Sequence, residues 1–174
     1  MDNYVWFDDP IDMINKTKPD LYIELMGYEK GISFDSIKLS LENKINVMGH
    51  IGMLPQLQNG NYKVYGKKKI EKVEIFEDLE LLQRAGVFCI VIECTIKPLV
   101  DKLIKKAKVP IIGIGASPKC SGQIIVTEDV IGMTEFNSKF LKKYSNVKKK
   151  IDDAISKFSL DVKKKKYPTK DHCY

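Results

Sequence analysis

VFCIVIE at positions 87–93 is a run of six residues without a charge that stops at a carboxylate, Glu93. It lacks the apolar–polar alternation of a half-buried strand. It reads as a strand covered on both faces, as strands in parallel sheets are. Three other segments share the form: LYIE at 21–24, INVMGH at 45–50 and VPIIGIG at 109–115. Stretches with helical spacing lie between them. Alternating strands and helices imply right-handed crossovers and a parallel sheet whose strands deliver chemical groups at their carboxyl ends. Glu24, His50, Glu93 and the loop 113–117 then share one rim of one sheet.

Outward from that strand, Asp9 and Pro10 start a helix running to about Lys16. Residues 20–24 and 45–49 read as strands. Residues 34–43 read as a helix in which Ile37, Leu39 and Leu41 mix the two periods. The stretch 51–68, with Pro55, Gly60 and Gly66, reads as a long loop after a strand, a common place for function. Residues 70–85 form the clearest helix, with Val73, Phe76, Leu79 and Leu82 as its apolar stripe and Gly86 at its C′ position. Thr95 and Pro98 open a helix to about Ala107. Residues 109–114 form a strand and 124–127 a further one. Two basic helices, 138–144 and 147–163, follow. Separate functional groups at strand ends favour a (β/α) barrel. A complete eight-unit barrel takes about 250 residues. The expected fold is therefore α/β: a partial (β/α)₈ TIM barrel, with residues 1–174 a single domain forming its carboxyl-terminal portion.

The chain has 174 residues, 44% of them hydrophobic, and a formal net charge of +6. That composition suits one globular domain with a core of its own. No apolar run approaches the length of a membrane span. The start, MDNYVWFDDP, has neither a basic leader nor an apolar signal core. The excess charge sits at 148–150 and 163–166 and reads as a solvated helix face or loose tail. Basic residues interleaved with exposed aromatics, the mark of nucleic-acid binding, are absent. Cys89, Cys94, Cys120 and Cys173 form no CxxC pair, and a reduced compartment is expected.

The candidate site residues each carry two readings. Glu93 is a general base whose pKa burial would raise, or a strand-end carboxylate paired with a lysine. His50, in GHIG, donates to a substrate carboxylate or carbonyl beside glycines that permit close approach, or caps a turn. Glu24 is a hard oxygen donor for Mg²⁺, or an edge-strand charge. GIGAS at 113–117 cradles an anion on backbone N–H groups, or makes a tight turn. His172, in the tail KDHCY, is uncommitted.

Taken together these pieces resemble the ketopantoate hydroxymethyltransferase family. The stretches that carry the resemblance are VMGHIGMLPQ at 47–56, NYKVYGK at 61–67, EDLELLQRAG at 77–86, VIEC at 91–94, VPIIGIGAS at 109–117, SGQIIVTEDVIGMT at 121–134 and YPTKDHCY at 167–174. The resemblance implies a barrel of the phosphoenolpyruvate/pyruvate type. It implies transfer of a one-carbon unit from 5,10-methylenetetrahydrofolate to 3-methyl-2-oxobutanoate, giving 2-dehydropantoate on the way to pantothenate and coenzyme A. It implies a Mg²⁺ ion chelated by the keto acid, Glu93 in VIEC as the base, Glu24 in YIEL at the metal and His50 in GHIG at the substrate. A large homo-oligomer or a complementing chain is the implied partner, with no nucleic acid and no membrane. The expected compartment is the cytoplasm, with the mitochondrion as alternative.

This chain departs from the family at five points, one of them a longer connection from Glu24 to His50. Tyr22 stands where the family has a lysine beside the substrate carboxylate. No segment matches the two early aspartate metal ligands. GIGAS replaces GIGAG, and SGQ replaces DGQ. Two other readings follow: a non-catalytic relic or interaction subunit whose open strand edges pair with another chain, and a binder of phosphorylated ligands through GIGAS.

Overall fold

The structure, a computed structural model, describes residues 6–19, 32–55 and 63–174. Its elements are α1 (Pro10–Thr17), α2 (Ile32–Glu42), β1 (Met48–Gly52), α3 (Lys69–Ala85), β2 (Cys89–Glu93), α4 (Lys97–Lys106), β3 (Ile111–Ile114), β4 (Gly122–Gln123), α5 (Thr127–Val130) and α6 (Val147–Lys163). The strands form one sheet in the order β1-β2-β3-β4, with every pairing parallel. This is an α/β architecture of the kind that makes up part of a (β/α) barrel. The strand expected at 20–24 lies outside the described residues. Contacts divide the chain into two compact units, Met1–Ile124 and Ile125–Tyr174.

In the first unit β2 sits between β1 and β3, and all five of its residues are buried. That is the covering on both faces that the unbroken apolar run implies. On one face Ile51, Ile90, Ile92 and Ile111 pack against Ile75, Leu79 and Leu82 of α3 and Leu99, Val100 and Leu103 of α4. The stripe of α3 is thus Ile75–Leu79–Leu82, with Phe76 packed at its edge, and Val73 is 45% exposed. Val73 stands three before Phe76, which places it in the expected stripe. The sheet meets the helix one step round, where Ile75 and Leu79 follow at i and i+4. Gly86 caps α3 in the left-handed conformation (φ 101°), its N–H donating to Leu82 and Gln83 carbonyls.

The mixed period of α2 also has a packing cause. Ile37 and Leu41 lie against the main core, while Leu39 joins Ile14 and Ile45 in a second cluster. One helix serves two apolar neighbours, so no single stripe emerges. β1 starts later than expected because Ile45 is taken up by the end of α2, its N–H donating to the Ser40 carbonyl at 2.9 Å. The ladder then continues to Met53, whose N–H reaches the Glu93 carbonyl. β4 lies at 122–123, before the expected 124–127, because Ile124 N–H bonds the Gly113 carbonyl and β3 then ends at Ile114.

In the second unit α6 spans the expected residues, with the Asn146 side chain accepting from Lys149 N–H at its start. The helix expected over 138–144 is absent. Leu141 N–H closes one turn on Ser138, and Tyr144 N–H pairs instead with the Val130 carbonyl. A seven-residue stretch barely outlasts its nucleation cost, so one outside partner for the backbone decides against it.

The revised stripe of α3 predicts the outcome of two substitutions. Leu79→Ala should lower unfolding free energy by about 2–5 kcal/mol, read from urea melts. Val73→Ala should change it by no more than about 0.5 kcal/mol.

Candidate active site

The parallel register sets His50 opposite Val91 and Gly52 opposite Glu93. Side chains alternate along a strand, so His50 and Glu93 share the sheet face turned away from the α3–α4 core. Their side chains meet there, His50 Nε2 lying 3.3 Å from Glu93 Oε2. The carboxylate side chain is 11% exposed and the imidazole 35% exposed. The carboxylate is nearly dry, while the imidazole still opens to solvent. Among the described residues the partner of Glu93 is an imidazole and not a lysine. A shielded carboxylate within reach of a histidine is equipped to take a proton from a carbon acid. Tyr22 and Glu24 lie outside the described residues.

Immediately after Glu93 the chain turns sharply. Cys94 has φ 43°, a left-handed conformation that a side chain rarely adopts. Its thiol is buried, and burial, then the charge of Glu93, push it up to about 11. It stays protonated near neutrality and is no nucleophile. The glycines flanking His50 and Ile51 make room for the protein itself. A Cβ on Gly49 would lie 2.7 Å from Leu82 Cδ1, and one on Gly52 would lie 2.6 Å from the Glu93 carbonyl oxygen.

The loop leading from β1 to α3 is tied to the same strand end. Tyr65 N–H donates to the Cys94 carbonyl at 2.8 Å, and Ile96 N–H donates to the Tyr65 carbonyl at 3.0 Å. Glu71, in the first turn of α3, collects the backbone N–H groups of Gly66, Lys67 and Lys68 on one oxygen at 3.0, 3.1 and 3.2 Å. Lys63 stands 3.9 Å from its other oxygen. Burial works to raise the Glu71 carboxyl. The N–H groups of Lys68 and Gly66, the Lys63 charge and the Lys67 N–H outweigh it and bring the group below the usual range. The sequence reading missed Glu71. Its signal was a glutamate three residues after Lys68, at the capping-box position of a helix start.

The GIGAS loop is bound to its surroundings by its own serine. Ser117 is 3% exposed, and its hydroxyl donates to Asp101 Oδ1 at 2.5 Å. Lys97 and Lys119 hold the other Asp101 oxygen at 2.8 and 3.2 Å. The bonds from Lys97 and Ser117 keep the Asp101 carboxyl far below its usual range. Gln123, in SGQ, donates to the Ser117 carbonyl at 2.8 Å across Gly113, where a Cβ would lie 2.9 Å from Gln123 Oε1. Serine in place of glycine thus adds an anchor on α4.

A magnesium ion asks for about six oxygen donors in octahedral array. Among the described residues no three His, Cys, Asp or Glu side chains converge. Glu93 and His50 form a pair, and an imidazole is a poor magnesium ligand. The described residues by themselves do not fit this ion. Among them no helix is long and apolar enough to cross a membrane.

The comparisons with known proteins agree with one another. The family model for ketopantoate hydroxymethyltransferase matches residues 12–170. The 3-methyl-2-oxobutanoate hydroxymethyltransferase of Pelagibacter ubique is 48% identical over 162 residues, which cover 93% of this chain and 62% of the relative. That of Sulfolobus acidocaldarius is 43% identical over 77% of this chain and 51% of its own length. That of Syntrophomonas wolfei is 39% identical over 80% and 52%. The chain thus spans about half to three-fifths of the length of the curated relatives it matches.

The Glu71 anchor carries a pH signature. Its carboxyl binds a proton less readily folded than unfolded, so the unfolded chain takes up that proton first on acidification. The stability it contributes is full above the ordinary glutamate range, near ~4.3. It drains away as the pH falls from there through the lower folded value. Urea melts at stepped pH should show wild-type stability falling through that window. Glu71→Gln should be less stable than wild type at neutral pH and show a shallower fall.

Proposed function

This chain belongs to the ketopantoate hydroxymethyltransferase family, and on that premise we propose that it acts as a 3-methyl-2-oxobutanoate hydroxymethyltransferase or as the proton-abstracting part of one. The single observation that carries the reading is the His50–Glu93 pair, a shielded carboxylate at the end of β2 lying 3.3 Å from a solvent-facing imidazole in the parallel neighbour β1. Glu93 takes the proton from C3 of 3-methyl-2-oxobutanoate, leaving an enolate. Water adds to the one-carbon unit of 5,10-methylenetetrahydrofolate, and cleavage of its two C–N bonds frees tetrahydrofolate and leaves the carbon at the level of formaldehyde. The enolate carbon bonds to that carbonyl carbon, and the alkoxide formed takes up a proton to give the hydroxymethyl group of 2-dehydropantoate. His50 donates to the keto acid and fixes its orientation over Glu93.

The proposal extends to Tyr22 at the substrate carboxylate and Glu24 as one ligand of Mg²⁺. The remaining donors would come from outside the described residues. It places the chain in a partial (β/α)₈ barrel as a single functional domain, within a homo-oligomer or beside a complementing chain. The proposed compartment is the cytoplasm, or the mitochondrion under the alternative reading.

Formation of 2-dehydropantoate from the keto acid and the folate, with Mg²⁺ present, tests the reading. Glu93→Gln should lower kcat by about 10²–10⁴-fold, the usual share of a general base. His50→Gln should raise KM more than it lowers kcat. Equal rates for wild type and Glu93→Gln would remove Glu93 from the role. An inactive wild type that also binds no Mg²⁺ by calorimetry, with or without keto acid, would assign the chain to the non-catalytic reading.

A further inference from the structure

Gly52 stands opposite Glu93 in the β1–β2 register and has φ +88°. A Cβ built there would lie 2.5 Å from Thr95 Oγ1 and 2.6 Å from the Glu93 carbonyl oxygen. The second contact is with backbone and cannot be relieved by turning a side chain. The same carbonyl is held twice. Met53 N–H donates to it at 3.0 Å, and the Thr95 hydroxyl, 1% exposed, donates at 3.0 Å. Cys94, at φ 43°, follows directly. With its carbonyl gripped from both sides, the Glu93 peptide plane cannot rotate, and the direction of its Cα–Cβ bond is set.

From this we infer that Gly52 is a positioning residue for Glu93: the missing side chain lets the end of β1 close on the Glu93 carbonyl, and that closure keeps the carboxylate against His50. Any Cβ at 52 must push the end of β1 outward or turn the Glu93 peptide. Either movement opens the distance between His50 Nε2 and Glu93 Oε2, because β1 carries one and β2 the other. The inference rests on the reading of Glu93 as the base only for its effect on turnover. The geometric effect stands apart from that reading.

Gly86 supplies the control. It too has a positive φ (+101°), but a Cβ there would meet nothing within 4 Å. Gly52→Ala and Gly86→Ala therefore impose a similar left-handed backbone cost, and only the first presses on Glu93. The chain holds two histidines, His50 and His172, so the imidazole ¹⁵N spectrum is simple, and His172→Gln assigns it. The Nε2 signal of His50 should move in Gly52→Ala towards the position it takes in Glu93→Gln. In Gly86→Ala it should stay at the wild-type position. In the turnover assay kcat should fall about 10–100-fold in Gly52→Ala, the scale of a misplacement near one ångström, and stay within twofold in Gly86→Ala.

A Gly52→Ala spectrum that overlays wild type, or shifts no more than Gly86→Ala, overturns the inference. If Gly52→Ala does not fold, Gly52→Ala/Thr95→Ala removes the hydroxyl contact and leaves the carbonyl contact. The double variant should fold with His50 still displaced. A His50 signal restored to wild type there, or a double variant that also fails to fold, overturns the inference as well. If the His50 signals behave as stated while wild type makes no 2-dehydropantoate, Gly52 keeps its role and the function proposal falls.

Discussion

The parallel pairing of β1 with β2 is the constraint from which the rest follows. It is a backbone interaction, and it sets in one step which residues of two distant segments face one another. Through it the imidazole of His50 arrives beside a carboxylate that lies 43 positions further along the chain. The pairing is itself permitted by absences. Gly49 yields its space to Leu82 of α3, and Gly52 yields its own to the peptide after β2. A strand with ordinary side chains at both places could not lie so close to helix and neighbour together.

Buried polar groups follow the same logic. Glu71, Thr95 and Ser117, with the half-buried Asp101 as partner of the last, hold loop backbone in place around the carboxyl ends of the strands. A buried polar atom is costly unless it is bonded. Each of these is bonded, and each bond ties a connecting loop to the scaffold. The shielded pair His50–Glu93 differs, since one of its members still opens to water.

Much of this frame was legible in the residues. The unbroken run before Glu93 announced a strand covered on both faces, and Gly86 announced the end of α3. Residues 147–163 are helical as their spacing implied. The strand ends were less legible, because a ladder stops where its partner runs out of carbonyls. Neither Ile124 nor Met53 carries that information in its own sequence neighbourhood. For the site, Glu93 and His50 were visible as ionisable groups closing apolar runs. Their contact was not, for it depends on a register between segments joined by a long connection. The roles of Gly52 and Ser117 were hidden for the same reason. A glycine looks alike whether it makes room for a ligand or for the protein's own carbonyl, and only the three-dimensional neighbour tells the two apart.

The two-residue period of a strand has a consequence for how this chain tolerates changes of length. One residue gained or lost between Val47 and His50 would swing the imidazole from the open side of the sheet into the packed helical layer. The same event would turn Ile51 out of the core it shares with Leu79 and Leu82. Length variation in homologues should therefore collect in the connection beyond Met53, where an extra residue adds slack, and should be purged from the short stretch before it. That part of the chain is governed by its parity: odd changes of length are forbidden there even when every individual residue type would be acceptable.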